Sequence, residues 1–333
     1  MTWVGAETSQ RTIDLTNHQF MQATITIPAT SANLGPGFDC LGLALSLYQS
    51  VTFTVRSDPG LVITACGEDA PKIPTDESNL IWQSAELIFE RYGQRPLGLH
   101  IHQDNQIPIG SGLGSSSSAV LAGLFGANAL LGNPLSRAEI LQQATDLEGH
   151  PDNVAPAVYG GLILGVQEAG GLLVESIATP PLRVVVVLPD FHLPTAEARA
   201  ALPQHVSLRD AIFNTSRLGL LIRALETADY DKIRAAMQDR LHQPYRLPLV
   251  PGLAAAYEAA YAAGAAGVAL SGAGPSLIAF APSGHEAIGA AMTAVFARHQ
   301  LASRSWILSV DTRGSQVRVD DPVLTDGSDR PKP

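Results

Sequence analysis

Residues 108–118 run Pro-Ile-Gly-Ser-Gly-Leu-Gly-Ser-Ser-Ser-Ser, with three glycines at alternate positions and four serines in a row. The apolar stretch at 119–131 that follows predicts a helix. Glycine leaves main-chain N–H groups uncovered, and a helix N-terminus adds a dipole that favours negative charge. Such a loop binds phosphate. It is not the Walker A loop, which needs Gly-Lys-Ser/Thr, because it has no lysine. Nor is it the dinucleotide fingerprint, since the third glycine comes too early. A flexible Gly/Ser linker is the alternative. A linker would not join a strand-like segment directly to an apolar helix, and a phosphate loop is the better reading.

Three more segments place polar residues among glycines and prolines. In 28–39 the amide Asn33 and the carboxylate Asp39 sit in Asn-Leu-Gly-Pro-Gly-Phe-Asp, which is either a functional loop or an Asx-turn in a hairpin. In 146–153, Asp146, Glu148, His150, Asp152 and Asn153 crowd a helix end. Acids there oppose the helix dipole, and a magnesium ion held by carboxylate and phosphate oxygens would relieve the conflict. The alternative is a solvated turn capped by Gly149. Ser-Gly-Ala-Gly-Pro-Ser at 271–276 brings Gly272 and Gly274 between two short strands, where a tight turn alone would account for them. Arg199 and Arg246 are isolated near prolines, and guanidinium groups clamp carboxylates in bidentate fashion.

Composition bounds the partners. Of 333 residues, 46% are hydrophobic and 16% charged, with 31 acidic against 21 basic side chains and a formal charge of −10. Such a chain has no general affinity for nucleic acid, although a nucleotide held by magnesium and local dipoles is compatible with it. No CxxC or Cys/His cluster accompanies Cys40 and Cys66, so neither a disulfide framework nor a structural zinc site is expected. No apolar stretch reaches membrane-spanning length and no signal-peptide pattern is visible, which predicts a soluble, cytoplasmic protein without membrane partners.

The elements that must position these residues follow from periodicity. Strands are expected at 23–27 (ended by Pro28), 42–47, 51–55 and 97–101, with helices at 80–92, 116–131 and 136–147. Asp76 or Ser78 would cap the first helix, and Ser136 with Glu139 would form a capping box on the third. The second half predicts strands at 162–166, 184–188, 268–270, 277–280 and 306–310. Its helices are expected at 209–228, 230–241, 253–263 and 286–298. The aliphatic run 184–188 would be buried on both faces. The mixture predicts an α+β protein of two domains.

Together these segments resemble the kinase superfamily named for galactokinase, homoserine kinase, mevalonate kinase and phosphomevalonate kinase. Residues 108–118 are similar to its phosphate loop, 28–44 to its first motif and 270–278 to its third. The likeness is greatest to the homoserine kinase branch, through residues 33–39, 148–156 and 195–199. The resemblance implies an α+β, two-domain small-molecule kinase fold. An N-terminal ATP-binding domain over 22–175 would contain a left-handed βαβ crossover, of the type seen in a small-subunit ribosomal protein. A ferredoxin-like domain would span 176–319, with a flexible extension at 1–21 and a disordered tail at 320–333.

It further implies transfer of the ATP γ-phosphoryl group to the hydroxyl of L-homoserine in threonine biosynthesis, with Mg2+ and as a homodimer. Pro108, Ile109, Gly110, Ser111, Gly112, Leu113, Gly114, Ser115, Ser116, Ser117 and Ser118 would wrap the triphosphate, with Gly272 and Gly274 beside them and Asn79 near the adenine. Ser115 or Ser116 would hold magnesium with Glu148. Asn33, Asp39, His150, Asn153, Arg199 and Arg246 would line the amino-acid pocket. Glu148, His150 and Asn153 would serve catalysis, with no dedicated general base, because an amide cannot accept the proton. A mevalonate or cytidyl-methylerythritol kinase, or a non-catalytic ligand sensor on the same fold, are the alternatives.

Overall fold

The computed structural model describes residues 21–320, so the expected extension and tail lie outside the described residues, apart from Met21 and Asp320. The chain begins with β1 (Gln22–Ala32) and β2 (Leu41–Arg56), paired antiparallel. Two departures from expectation appear at once. The first strand does not end at Pro28, because a register shift between Pro28 and Ala29 absorbs the missing N–H. The two strands expected at 42–47 and 51–55 are one, since β2 continues through the polar residues between them. An unexpected strand follows, β3 (Gly60–Gly67), which crosses through α1 (Leu80–Tyr92) to β4 (Gly98–Asn105) and pairs with it in parallel.

Next come α2 (Ser115–Leu130), α3 (Arg137–Glu148), α4 (Pro151–Tyr159), β5 (Leu162–Glu168) and β6 (Gly171–Ile177). The first sheet runs β3-β4-β2-β1, and β5 joins β2 at the latter's start and carries β6. Trp82, Phe89 and Ile88 of α1 and Leu121 and Leu124 of α2 pack against Phe53 and Ile101 in one core. Thirteen of the sixteen residues of α2 are buried, as expected for a helix that is apolar all round. Buried on every side, it holds the glycine loop at its N-terminus rigidly. The capping box of Ser136 and Glu139 on α3 is present.

The second sheet opens with β7 (Arg183–Pro189). Then follow α5 (Thr195–Ala200), α6 (Leu208–Glu226), α7 (Tyr230–Ala236), α8 (Gln243–Arg246), α9 (Leu253–Ala262), β8 (Gly267–Leu270), β9 (Leu277–Phe280), α10 (His285–Arg298) and β10 (Ser303–Ser309). The strand order β10-β7-β9-β8, all antiparallel, is that of a βαββαβ ferredoxin-like unit. Val184 and Val186 face the first domain and α6, while Val185 and Val187 face α9 and α10, so β7 is buried on both sides.

Helix α7 is shorter than the expected 230–241. The buried Asp239 instead accepts from the backbone N–H groups of Leu241, His242 and Gln243 and starts a new turn. The chain then returns: β11 (Gln316–Asp320) pairs with β1, so 316–320 belong to the first sheet and not to the second domain.

Candidate active site

Three loops meet where the two sheets face each other. Asn33 adopts a left-handed backbone, and its amide spans the domains, with Nδ2 donating to Gly272 O (2.8 Å) while Oδ1 accepts from Asp39 N (2.9 Å). Gly272 N donates to Ala32 O at 3.0 Å. Ser271 Oγ reaches Ser31 Oγ at 2.9 Å and Gly112 O at 2.6 Å. A Cβ on Gly112 would come within 2.2 Å of Ser271 O, so only glycine lets the loops at 108–118 and 271–276 touch. The tight turn at 271–276 is therefore a wall of the site.

Between the loops lies a cavity of about 280 Å³. The main-chain amides of Gly110, Ser111, Gly112 and Gly114 donate to no protein group among the described residues. Buried amides are almost always paired, so a cluster of free ones facing a cavity is a place for an anion. Two helices point their N-termini into the same space, α2 through Ser115, Ser116 and Ser117, and α4 through His150, Asp152 and Asn153. Their dipoles add to the attraction for negative charge.

Glu148, the last residue of α3, faces the first turn of α2. Its carboxylate accepts from Ser116 Oγ (2.8 Å) and Ser117 Oγ (2.7 Å). Gly149 follows with a left-handed backbone and caps α3, which turns the chain sharply enough for Glu148 and His150 to face one cavity despite standing two residues apart. The acids expected to oppose a helix dipole are divided: Asp152 lies in the first turn of α4, where the dipole favours it.

The other end of the cavity holds the charged groups. Arg199 donates to both oxygens of Asp39 (3.1 and 2.8 Å), and both side chains are about one-third exposed, at 39% and 34%. Arg246 is buried, donates through Nε to Ala198 O (3.1 Å) and lies 5.1 Å from the centre of the Phe38 ring. Burial and the neighbouring Arg199 push it down to about 10. His242 Nε2 donates to Gly35 O (2.7 Å), and burial holds its ring neutral.

His150 Nδ1 sits 2.5 Å from Asp152 Oδ1. Burial disfavours the imidazolium, but the Asp152 hydrogen bond and the charges of Asp152 and Asp39 outweigh it, so the pKa of His150 lies above the ordinary 6.5. A raised folded-state pKa gives stability that is complete below the unfolded value of 6.5 and is lost as pH rises through the folded value. Asp152→Asn is expected to move the imidazole titration to lower pH, read by NMR. An unmoved titration would detach His150 from Asp152.

The cavity gathers Asn33, Asp39, Gly110, Ser111, Gly112, Gly114, Ser115, Ser116, Ser117, Glu148, His150, Asn153, Arg199, Arg246, Gly272 and Gly274. Five expected residues stand elsewhere. Leu113 is core, and Ser118 Oγ donates to Gln49 Oε1 at 2.6 Å beneath the loop. Pro108 and Ile109 line a second hollow of about 390 Å³ that shares Gly110 with the first. Asn79 is the N-cap of α1 in place of Asp76 or Ser78. It is buried, with Oδ1 accepting from Ile81 N and Trp82 N and Nδ2 donating to Pro74 O. Asn79→Ala is therefore expected to cost about 1 kcal/mol of stability in denaturant unfolding and to leave the KM for ATP unchanged. A raised KM would return Asn79 to the nucleotide.

Four further residues line the cavity without having been assigned a role there: Asp152, noted only as part of the polar cluster at 146–153, and Leu147, Thr195 and Ala273, which had no signal beyond their neighbours.

Residues 79–161 match the family model described as the GHMP kinases N-terminal domain, and 221–298 match the GHMP kinases C-terminal model. The chain is similar to a homoserine kinase from Trichormus variabilis, 44% identical over 88% of this chain and 97% of that one. It is also similar to a homoserine kinase from Moorella thermoacetica, 45% identical over 82% and 92%. The chain belongs to the homoserine kinases of the GHMP family. Among solved structures, the homoserine kinase from Cytophaga hutchinsonii superposes with a TM-score of 0.79 at 32% identity, covering 89% of this chain and 97% of that one. The L. major mevalonate kinase, at 19% identity and a TM-score of 0.64 over 88% and 95%, shares the fold. The sequence motifs and the whole-chain likeness thus agree on the homoserine kinase family, and the strand order is compatible with it. Among the described residues no helix is long and apolar enough to cross a membrane.

Proposed function

We propose that this chain transfers the γ-phosphoryl group of ATP to the side-chain hydroxyl of L-homoserine, giving O-phospho-L-homoserine for threonine synthesis. The observation that carries the reading is the meeting, in one cavity, of free loop amides with an acid–guanidinium pair. The amides suit a polyphosphate. Asp39 and Arg199 suit the ammonium and carboxylate of an amino acid, which would exchange their mutual contact for two charge-matched contacts with the substrate. The hollow beyond Pro108 and Ile109, with Phe191 and His192 on its wall, has room for the nucleoside end.

The reaction forms a bond from the homoserine hydroxyl oxygen to the γ-phosphorus and breaks the bond to the β–γ bridging oxygen, releasing ADP and the hydroxyl proton. Its loose transition state needs positioning and neutralised charge more than a base. Asn153 Oδ1 accepts from Thr30 Oγ1 at 2.8 Å, which fixes the amide on the first turn of α4, where it can orient the hydroxyl. Burial opposes a proton on His150, but the Asp152 hydrogen bond and the charges of Asp152 and Asp39 raise its pKa, and it serves first as a substrate contact.

A magnesium ion, when bound, screens phosphate charge. The oxygen set of Glu148, Ser116 and Ser117 fits that hard cation. Asp39, His150 and Asp152 also bring ligand atoms within 4.8 Å of one another, but their atoms are engaged by Arg199 and by each other. Of Ser115 and Ser116, the hydrogen bond of Ser116 Oγ to Glu148 supports Ser116 as the serine ligand. A cytoplasmic homodimer belongs to the same reading, and light scattering on the purified chain tests the dimer.

The test of function is ADP release by pure protein with ATP and Mg2+ and one alcohol at a time. Turnover of homoserine, and not of mevalonate or a cytidyl-methylerythritol, is expected. Turnover of an isoprenoid alcohol without homoserine would reject the proposal, and ATP binding without any turnover would make the chain a sensor.

A further inference from the structure

A buried imidazole stands behind the amino-acid end of the cavity. His242 is fully buried and lines neither hollow. Arg246 N donates to His242 O (3.1 Å), one helical turn that sets the two side chains on one face. His242 Nδ1 lies 3.4 Å from Arg246 Nη1, and Nε2 lies 2.7 Å from Gly35 O. A guanidinium only donates and a carbonyl oxygen only accepts. The proton therefore sits on Nε2, where Asp239 Oδ2 at 3.6 Å also favours it, and Nδ1 offers its lone pair to Arg246. Both contacts require a neutral ring, which burial favours. Phe38 closes the group, its ring centre 5.1 Å from that of the stacked imidazole and 5.1 Å from the guanidinium carbon of Arg246.

We propose that His242 is a positioning residue for the amino-acid substrate. It ties Arg246 to the loop that carries Asp39, and so fixes the spacing between the contacts for the substrate's carboxylate and ammonium. The inference rests on the amino-acid reading of this pocket. The other donors of Arg246 are divided: Nε goes to Ala198 O (3.1 Å), and Nη1 also approaches Gly272 O (3.4 Å). Nη2 donates to no protein group among the described residues, yet Arg246 lines the cavity. A guanidinium held through Nε and Nη1 presents Nη2 to a carboxylate. Without Nδ1, Nη1 would have only Gly272 O, which already accepts from Asn33 Nδ2 at 2.8 Å. A buried cation that loses an acceptor is left partly uncompensated, and the charges of Asp39 and Asp152 already act on this one. A turn of the guanidinium towards either acid would take Nη2 away from the substrate's carboxylate.

Steady-state kinetics on the full-length protein test this. H242F keeps a ring against Phe38 and loses both nitrogens. It is expected to raise KM for homoserine about tenfold, the lower end for a hydrogen bond to a charged group, with KM for ATP unchanged. H242N can place its Oδ1 where Nδ1 stands and is expected to recover most of that loss. R246M keeps the side-chain stem without the donors. In that background H242F is expected to add little, because His242 acts through Arg246. Circular dichroism and denaturant unfolding check each fold. Where the larger phenyl ring unfolds the protein, H242L removes both nitrogens in less space and carries the same expectations. An unchanged KM for homoserine in the folded variant would overturn the proposal. So would a loss of the same size in the R246M background, or no recovery in H242N, since either would leave His242 a packing residue only. If the unaltered protein turns over no homoserine, the amino-acid reading itself fails, and the proposal with it.

Discussion

Glu148→Ala is expected to lower kcat about 10²–10³-fold, the loss seen when one charge-stabilising group is removed from a preorganised site. The side chain holds the hydroxyls of Ser116 and Ser117 on the first turn of α2, within the same cavity as the loop amides. Its removal leaves two hydroxyls at a partly open surface, so the fold should survive, which circular dichroism checks. The decisive measurement is kcat against magnesium concentration. A variant that recovers at high magnesium has lost a ligand, and one that does not has lost positioning as well. Wild-type kcat with an unshifted magnesium requirement would remove Glu148 from the chemistry. Glu148→Asp, which keeps the charge one methylene short, should fall between.

Arg199→Gln should cost at least about 2 kcal/mol in homoserine binding, because truncating one partner of a charge pair strands the other. That is about 30-fold in kcat/KM, carried by KM for homoserine with KM for ATP unchanged. An ion pair this exposed adds little to stability, so its bidentate geometry at the cavity needs another reason, and an amino-acid zwitterion supplies one. Asp39→Asn should act in the same direction through the ammonium. If the pair served only itself, the double variant would bind homoserine as the wild type does, and steady-state kinetics on all three proteins would reveal it. Arg246 is a poorer probe. Its buried guanidinium also holds Ala198 O and stacks near Phe38, so its loss would unsettle the wall as well as the substrate.

Much of this site was legible because it depends on local chemistry. Alternating glycines at 110, 112 and 114 uncover amides wherever the chain goes, and an apolar helix after them must be buried. Gly149 after Glu148 marks a helix end, and Ser136 with Glu139 marks a start. What failed locally has local causes too. Asp76, Ser78 and Asn79 are all competent caps, and only burial of Asn79 against Pro74 O chose among them. Pro28 reads as a strand terminator until a register shift relieves it. Strands β3, β6 and β11 lie at edges and expose much of their length, so their hydrophobic signal was weak.

By itself, the sequence determined the glycine loop with its uncovered amides, the helices behind it and the family to which the chain belongs, since these rest on residue types within a few positions of one another. Which side chains meet was decided by the tertiary structure. Asp39 and Arg199 are 160 residues apart, Ser116 and Glu148 are 32 apart, and Asn33 and Gly272 are 239 apart. No local propensity encodes such distances. They are settled when two sheets bury their apolar faces against shared helices and bring three polar loops to one edge, where backbone hydrogen bonds between the loops lock them in register.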